Sequence, residues 1–360
     1  MKTNRIVAAA LAATVLGTGC AHADPVLDAP VGAERAPHVE ETRFVSADRK
    51  ATYGGTLLVP DGPGPFPAVV LLSVAGPNDR DQTVGTNKGF AELARALADR
   101  GVASLRYDDR GVGASSGDYF AASWEDFAAD ALAAAATVAK DARVDAGRIG
   151  FAGMSQGAAL AAMACRERAG CAFAVLMSPP ALPGETALRG QLETMLAATP
   201  MPADRSDQYR ALMDEFFAIV KSDRDDRQAR MIAFLSGPGA ALIPPYRFLP
   251  GDPEGLAQVL LGPWYRSNLT FDPARTYAGL RAPVLVVGGG RDPIAEPRTH
   301  WPAIRDALDG GTYLELASGN HLLQAAQTGS PTEYAAIDHG IAPTLAEMIA
   351  AWAAETAAAP

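Results

Sequence analysis

Short apolar runs alternate along this chain with segments of helical periodicity, and this alternation constrains the fold most strongly. Residues 68–75 (AVVLLSVA) are apolar at nearly every position, as expected of a parallel strand buried on both faces. Helical patterns follow at 89–101 and 124–141, and strand patterns at 102–109 and 148–153. The order β-α-β-α-β predicts a parallel sheet joined by right-handed crossovers.

The strand pattern returns in the second half of the chain. Its later members are 172–178 (AFAVLMS), 282–290 (APVLVVGGG) and 312–318 (TYLELAS). Before the first parallel strand, residues 43–48 and 51–60 indicate an antiparallel strand pair. We therefore predict an α/β fold with a mostly parallel central sheet flanked by helices.

Residues 182–273 interrupt this pattern, because they show helical periodicity without a parallel-strand run. We predict that they form a helical cap inserted over the carboxyl edge of the sheet. The core then comprises residues 41–181 and 274–360, with a last helix from Pro343. A polar segment, 24–40, is expected to precede the core.

The first 23 residues have the three parts of a secretory signal peptide. Lys2 and Arg5 are basic, 6–16 is apolar, and 21–23 (AHA) is a small-residue cleavage site. The apolar run is about half of the ~20 residues that a membrane-spanning helix requires. We therefore predict cleavage after Ala23, export to the periplasm or the medium, and no stable membrane span.

Cys20 leaves a lipoprotein alternative open, because a lipid-modified cysteine commonly follows a short box of small residues led by leucine. Here Gly17 occupies the place of that leucine, and Leu16 comes one position early. This spacing favours cleavage over a lipid anchor at Cys20.

Export to an oxidising compartment predicts a disulfide between Cys165 and Cys171. A continuous helix would separate their Cα atoms by roughly 9 Å, beyond the ~7 Å limit for a disulfide. The helix must therefore end between them, and Gly170 is placed to end it. Two buried free thiols are the alternative.

Charge and metal-ligand spacing exclude several classes of function. The net charge of −10 comes from acidic residues spread along the chain, which argues against nucleic acid as a partner. The histidines are scattered, so no zinc-ligand spacing appears. Residues 288–290 (GGG) lack the lysine of a phosphate-binding loop. We expect no cofactor and no metal.

Residues 153–157 (GMSQG) match the G-x-S-x-G pattern at the turn from a predicted strand into a predicted helix. Flanking side chains would clash in so sharp a turn, which explains the two glycines. The helix that starts at Gln156 directs its free N–H groups toward an anion beside Ser155. Ser155 is therefore the predicted nucleophile, and an ordinary turn with a capping serine is the alternative.

A serine nucleophile requires a base and a carboxylate that orients the base. Asp292 directly follows a strand pattern and is the predicted acid, with Glu296 as the alternative. His321 directly follows the next strand pattern and is the predicted base. His300 falls in a predicted helix and His339 in a later loop, so both are disfavoured.

An oxyanion formed beside Ser155 needs a second backbone donor, from the loop after the strand at 68–75. We predict the N–H groups of Ala75 and Gln156 for this purpose, with Gly76 as the alternative to Ala75.

Three further segments, 76–81 (GPNDRD), 106–118 (RYDDRGVGASSGD) and 320–334 (NHLLQAAQTGSPTEY), carry a resemblance to a known family. With GMSQG and GGGRD, the chain resembles the serine α/β-hydrolases, in a bacterial branch of lysophospholipase-like esterases related to dienelactone hydrolases. The resemblance implies an acyl-enzyme mechanism on small-molecule esters, with Ser155, His321 and Asp292 in the roles given above.

The chain departs from that branch at Val74 and Ala75, where Gly-Ser is usual. Val74 narrows the space beside the donor, which favours short to medium acyl groups. The neighbouring charged residues are expected to form an ion network that braces two loops: Asp79, Arg80, Asp81, Asp108, Asp109 and Arg110. A thioesterase or peptidase would use the same triad, and a non-catalytic binding protein on this scaffold is a third possibility.

Overall fold

The computed structural model describes residues 36–198, 203–243 and 249–359. The predicted signal peptide and Cys20 lie outside these residues. Among the residues it does describe, no helix is long and apolar enough to cross a membrane.

The secondary structure alternates as the sequence predicts. In chain order the strands are β1 (His38–Val45), β2 (Thr52–Val59), β3 (Phe66–Leu72), β4 (Thr83–Val84), β5 (Asn87–Lys88), β6 (Ala103–Tyr107), β7 (Val144–Met154), β8 (Ala174–Met177), β9 (Val284–Gly289) and β10 (Thr312–Leu316). The α-helices are α1 (Gly89–Asp99), α2 (Trp124–Val138), α3 (Gln156–Glu167), α4 (Gly184–Ala198), α5 (Ala203–Lys221), α6 (Arg227–Leu235), α7 (Pro253–Leu261), α8 (Pro263–Thr270), α9 (Pro273–Tyr277), α10 (Pro297–Ala307) and α11 (Pro343–Ala358).

The large sheet has the strand order β1-β2-β6-β3-β7-β8-β9-β10. β1 and β6 both pair with β2 in antiparallel fashion, and the pairs from β6 to β10 are parallel. β3 lies between β6 and β7, so the chain leaves β3 toward one side of the sheet and later returns on its other side. The loops after β3 and β7 thus meet at the carboxyl edge, the usual place for a ligand in such sheets. The predicted α/β fold is confirmed.

β3 is buried on both faces, as its apolar run predicts. Val70 and Leu72 pack in the hydrophobic cluster that contains α2 and α3, whereas Val69 and Leu71 pack in the cluster that contains α1 and α11. Alternate residues of a strand point to opposite faces, so helices on both sides require an apolar residue at every position.

β1 begins at His38, ahead of the predicted core boundary at residue 41. Its pairing with β2 continues outward to His38 and Val59. As an edge strand, β1 leaves most of its side chains in solvent while Phe44 is buried. The polar composition of 38–40 therefore did not indicate a strand, and the division of the chain at residue 40 stays a prediction.

Within 182–273 the described residues form helices, and these helices share a hydrophobic cluster of their own. Apolar residues of these helices pack inside this cluster, among them Met213, Phe217 and Met231. A small helical layer needs its own buried core to stay folded, and these residues supply it. The division of the chain at 182 and 273 stays a prediction.

Helix α3 ends at Glu167, between the two cysteines as predicted. The Cα atoms of Cys165 and Cys171 are then 5.3 Å apart, and the sulfur atoms lie at disulfide-bond distance, 2.08 Å. Gly170 has a φ of 71°, in the left-handed region that glycine adopts without strain, and turns the chain back toward α3.

We expect a Cys20→Ala chain to show no titratable thiol when it is denatured without reductant. Changing Cys165 to Ala as well should release one thiol, from Cys171. It should also lower the free energy of unfolding, because the unfolded chain regains conformational entropy when the disulfide is lost. The change should be only roughly 2 kcal/mol, since the closed loop is short. Two free thiols in the Cys20→Ala protein would contradict the disulfide.

Candidate active site

Ser155 lies in a sharp turn between β7 and α3, with φ 57° and ψ −118°. A Cβ atom on Gly153 would overlap the carbonyl oxygen of Gly157, and one on Gly157 would overlap the carbonyl oxygen of Leu72. Both positions therefore require glycine, for the reason that the sequence indicated. The Ser155 N–H donates to the carbonyl oxygen of Met177 at 2.8 Å, which anchors the strained residue to β8.

His321 and Asp292 meet in the loops after β10 and β9. The Nδ1 atom of His321 lies 2.8 Å from Oδ2 of Asp292, and both side chains are buried. The second oxygen of Asp292, Oδ1, accepts the N–H groups of Ile294 and Ala295 at 2.7 and 2.9 Å. Burial opposes ionisation, but the charge and hydrogen bond of His321 and the two N–H groups outweigh it, so the pKa of Asp292 is lowered.

An ionised Asp292 can only accept hydrogen bonds, so Nδ1 of His321 carries the shared proton. This leaves Nε2 as the acceptor of the neutral imidazole. Such a tautomer is the one that a general base needs.

The two loops that carry these side chains pack closely together. A Cβ atom on Gly289 would overlap the carbonyl oxygen of Gly319, and the Arg291 N–H donates to that same oxygen at 2.8 Å. Within the second loop, the Asn320 side chain accepts the N–H groups of Leu322 and Gln324, both at 3.0 Å. The loop that carries His321 is thus held by the neighbouring loop at Gly319 and, from within, by the side chain of Asn320.

The two less favoured alternatives lie elsewhere. Glu296 is exposed at the start of α10, where it accepts the hydroxyl of Thr299 at 3.2 Å. His339 accepts the Ala325 N–H through Nε2 at 3.1 Å, and its Nδ1 lies 2.8 Å from the exposed Asp338. Among the described residues, neither Glu296 nor His339 makes a hydrogen bond to Asp292 or His321.

His300 has a place in the site that the sequence analysis missed. It is buried and lines the same cavity as Ser155 and His321. Its Nδ1 accepts the Ala181 N–H at 2.8 Å, and burial lowers its pKa, so it is a neutral wall residue. Helical periodicity was the available signal, because Ile304, four positions later, is also buried on this face of α10.

The residues predicted as oxyanion donors lie in the wall of the same cavity. Ala75 and Gln156 line the cavity together with Ser155. Gly76, the alternative donor, is already engaged, because its N–H donates to the hydroxyl of Tyr119 at 2.9 Å. Sequence reasoning gave no role to Tyr119.

Asp109 holds the loop that contains Ala75. Its Oδ2 accepts the Ser73 hydroxyl at 2.8 Å and the Asn78 N–H at 2.9 Å, while the Asn78 amide donates to the carbonyl oxygen of Val74 at 3.0 Å. Complete burial raises the pKa of Asp109 to about 7, although both hydrogen bonds favour the carboxylate.

The other charged residues of the two loops form the predicted ion network only in part. The guanidinium of Arg80 makes a forked pair with Asp108, Nε to Oδ1 at 3.1 Å and Nη2 to Oδ2 at 2.8 Å. Arg106 pairs with Asp81 at 2.7 Å. These pairs tie the loop after β3 to the loop after β6. Outside them, Asp79 caps its own turn by accepting the Asp81 N–H at 3.0 Å, and Arg110 pairs with the buried Asp130 at 2.6 Å.

A cavity of about 460 Å³ opens beside Ser155 and His321. Val74 contributes to its wall, as expected from its position. Most of the remaining wall is apolar, and much of it comes from the cap helices and the segments that join them: Leu188, Leu192, Phe216, Leu242, Leu260 and Trp264. Such a cavity suits an uncharged, flexible group.

Comparison with known proteins agrees with this architecture. The family model described as serine aminopeptidase, S33, matches residues 85–221. The esterase EstD of Thermotoga maritima is 27% identical over 301 residues, 83% of this chain, and the chain spans only 64% of that protein's length.

Solved structures share the fold at low identity. The complex of DcsB with its substrate analogue has a TM-score of 0.56 at 17% identity, covering 89% of this chain and 100% of that one. Est1E from Butyrivibrio proteoclasticus, solved with ferulic acid, has a TM-score of 0.52 at 14% identity, covering 87% and 96%.

The strand order and the turn at Ser155 define an α/β-hydrolase fold, which the solved structures share. In sequence the chain is similar to serine hydrolases of this superfamily, as its resemblance implied.

The raised pKa of Asp109 gives a prediction for stability. The folded protein holds this proton up to about pH 7, whereas an unfolded aspartate loses it near pH 4. Ionising Asp109 therefore costs stability as the pH rises from 4 to 7. An asparagine can offer one oxygen to both donors without this cost. We expect the difference in Tm, Asp109→Asn minus wild type, to increase between pH 5 and pH 8.

Asp108 provides a comparison of opposite sign. Burial opposes its ionisation, but Arg80 and backbone N–H groups lower its pKa, so its contribution is lost as the pH falls. Asp108→Asn should therefore be most destabilising at neutral pH and less so in acid. An Asp109→Asn difference that stays constant with pH would show that Asp109 is ionised throughout.

Proposed function

We propose that this protein hydrolyses carboxylic esters of small molecules through Ser155, His321 and Asp292. The observation that carries the proposal is the buried pair of Asp292 and His321, joined at 2.8 Å, facing the cavity that Ser155 also lines. Similarity to the esterase EstD supports the choice of ester bonds.

In the proposed mechanism, Nε2 of His321 removes the proton from the Ser155 hydroxyl as that oxygen attacks the ester carbonyl. Asp292 keeps the imidazole in the required tautomer and stabilises the imidazolium that forms. His321 then gives the proton to the departing alcohol, leaving an acyl group on Ser155. Water, activated in turn by His321, releases the acid and restores the enzyme.

The negative oxygen of the tetrahedral intermediate requires donors that are in place before the reaction. We assign this role to the N–H groups of Ala75 and Gln156, which flank Ser155 in the cavity wall. Gln156 is the first residue of α3, so the positive end of the helix dipole adds to its effect.

The apolar wall supports an uncharged acyl group. Among the described residues that line the cavity there is no Asp, Glu, Lys or Arg, so no ion pair is offered to a charged substrate terminus. An aminopeptidase is the second candidate, since the matching family model carries that description. Recognition of a free amino terminus would nevertheless call for a carboxylate, which favours the ester. A thioesterase would suit the same wall.

We also propose that the protein is exported. The N-terminal sequence has the parts of a signal peptide, and the Cys165–Cys171 pair is typical of a protein that matures in an oxidising compartment. A lipid anchor at Cys20 is the alternative form of export.

Ser155→Ala and His321→Ala should each remove nearly all turnover of p-nitrophenyl butyrate. Ser155 and His321 act as one unit. Without either of them, the oxyanion donors and substrate binding supply a rate enhancement of only ~10³–10⁴ over the reaction in water. Asp292→Asn should also be severe, while the matched variant Glu296→Gln keeps normal kcat. The reverse order of these two carboxylate variants would show that Glu296 is the acid.

The acyl-chain profile tests the substrate class. Each buried methylene contributes up to ~0.8 kcal/mol, so kcat/KM should climb by up to a few-fold per carbon until the cavity is full. We expect short to medium chains to be best in a series from p-nitrophenyl acetate to palmitate. An acyl-CoA and an aminoacyl p-nitroanilide belong in the same assay, and clear preference for either would overturn the ester assignment while keeping the triad.

A further inference from the structure

A hydrogen-bond chain joins the cap to the start of α3 and to the loops after β6 and β3. The indole N–H of Trp264, in α8, donates to Oε1 of Gln156 at 3.0 Å. The Nε2 of Gln156 donates to the hydroxyl oxygen of Tyr119 at 3.1 Å, and the same oxygen accepts the Gly76 N–H at 2.9 Å. All three side chains are buried.

The chemistry of the groups fixes which atom donates in each hydrogen bond of this chain. An indole nitrogen can only donate, so Gln156 must turn its oxygen toward Trp264 and its amide nitrogen toward Tyr119. Burial, and beyond it the nearby charge of Asp109, raise the pKa of Tyr119, so the phenol stays un-ionised. A buried network whose members are satisfied in this way specifies one arrangement of the elements that it joins.

Ring packing connects the same elements. The Trp264 ring lies 5.9 Å from Tyr119 and 5.4 Å from Phe120, between ring centroids. Tyr119 in turn packs on Phe127 of α2 at 4.8 Å. Helix α8 therefore contacts the loop after β6 directly through ring packing, and it reaches Tyr119 of that loop through the hydrogen bonds of Gln156.

Two members of this hydrogen-bond chain adjoin the proposed oxyanion donors. Gln156 supplies one donor through its own backbone, and Gly76 follows Ala75, which supplies the other. Trp264, at which the chain begins, also lines the cavity.

We propose that Trp264, acting through Gln156 and Tyr119, is a positioning residue that fixes the spacing of the two oxyanion donors. The inference rests on the proposed function, because it assigns Ala75 and Gln156 to an acyl-transfer step. The cap is then part of the catalytic geometry and not only a wall for the acyl group. A donor displaced by about 1 Å costs up to about 100-fold in rate, which sets the scale of the effect.

The test compares two buried tryptophans. Trp264→Phe keeps a ring and removes the N–H donor, and Tyr119→Phe removes the hydroxyl that accepts from Gln156 and Gly76. Trp301→Phe is the matched control, since Trp301 is buried, its Nε1 has no hydrogen-bond partner among the described residues, and it is not among the residues that line the cavity. Melting curves establish that each variant is folded.

We expect Trp264→Phe and Tyr119→Phe each to lower kcat for p-nitrophenyl butyrate by about 10- to 100-fold, with KM changed by no more than about 2-fold. Inhibition by a trifluoromethyl ketone, which forms a tetrahedral adduct on a serine, should weaken in parallel with kcat/KM. The double variant should be no worse than the more severe single one, because both break the same chain. Trp301→Phe should leave kcat unchanged.

Additive losses in the double variant, or a Trp264→Phe protein that keeps the kcat of Trp301→Phe, would overturn the positioning role. If Trp264→Phe does not fold, an unchanged kcat in Tyr119→Phe would likewise overturn the positioning role. Failure of the proposed function is distinct, because Ser155→Ala would then keep the activity of the wild type and the ketone would not inhibit it. That result would overturn both.

Discussion

The close approach of three backbone segments at Ser155 is the constraint on which the rest of the site depends. Gly157 lies against the carbonyl oxygen of Leu72, and Gly153 lies against Gly157, so β3, β7 and α3 share one point of contact. Any Cβ atom there would separate the end of β3 from the start of α3. The proposed oxyanion donors come from these two ends, and their spacing follows from the absence of two side chains.

Around this point, loops rather than strands carry the functional groups, and each loop is held by buried polar contacts. Asp109 binds the loop after β3, and Asn320 folds the loop that carries His321. Asp292 is braced by the N–H groups that follow it. Holding an ionised or half-ionised carboxyl in the interior costs free energy, which a hydrogen-bonded loop offsets only if every acceptor is satisfied.

The cap combines two physical roles. Its own apolar cluster keeps a thin helical layer folded, and some of the same side chains, among them Phe216, Leu242 and Leu260, also line the cavity. Trp264 connects this layer to the core through Gln156. A core that is rigid at Ser155 and a cap that supplies much of the cavity wall together explain how one fold can keep its chemistry while its substrate wall varies.

The sequence by itself determined the sheet, the turn at Ser155, the order of Asp292 and His321 and the pairing of two cysteines. Each of these follows from local rules: strand burial, glycine at close approach, and a helix that must end between two linked residues. Only the tertiary structure decided that Gly76 donates to Tyr119, that His300 faces the cavity and that Met213 and Phe217 pack within the cap. These outcomes depend on which distant segments meet, and the apolar or polar character of a residue does not specify its partner.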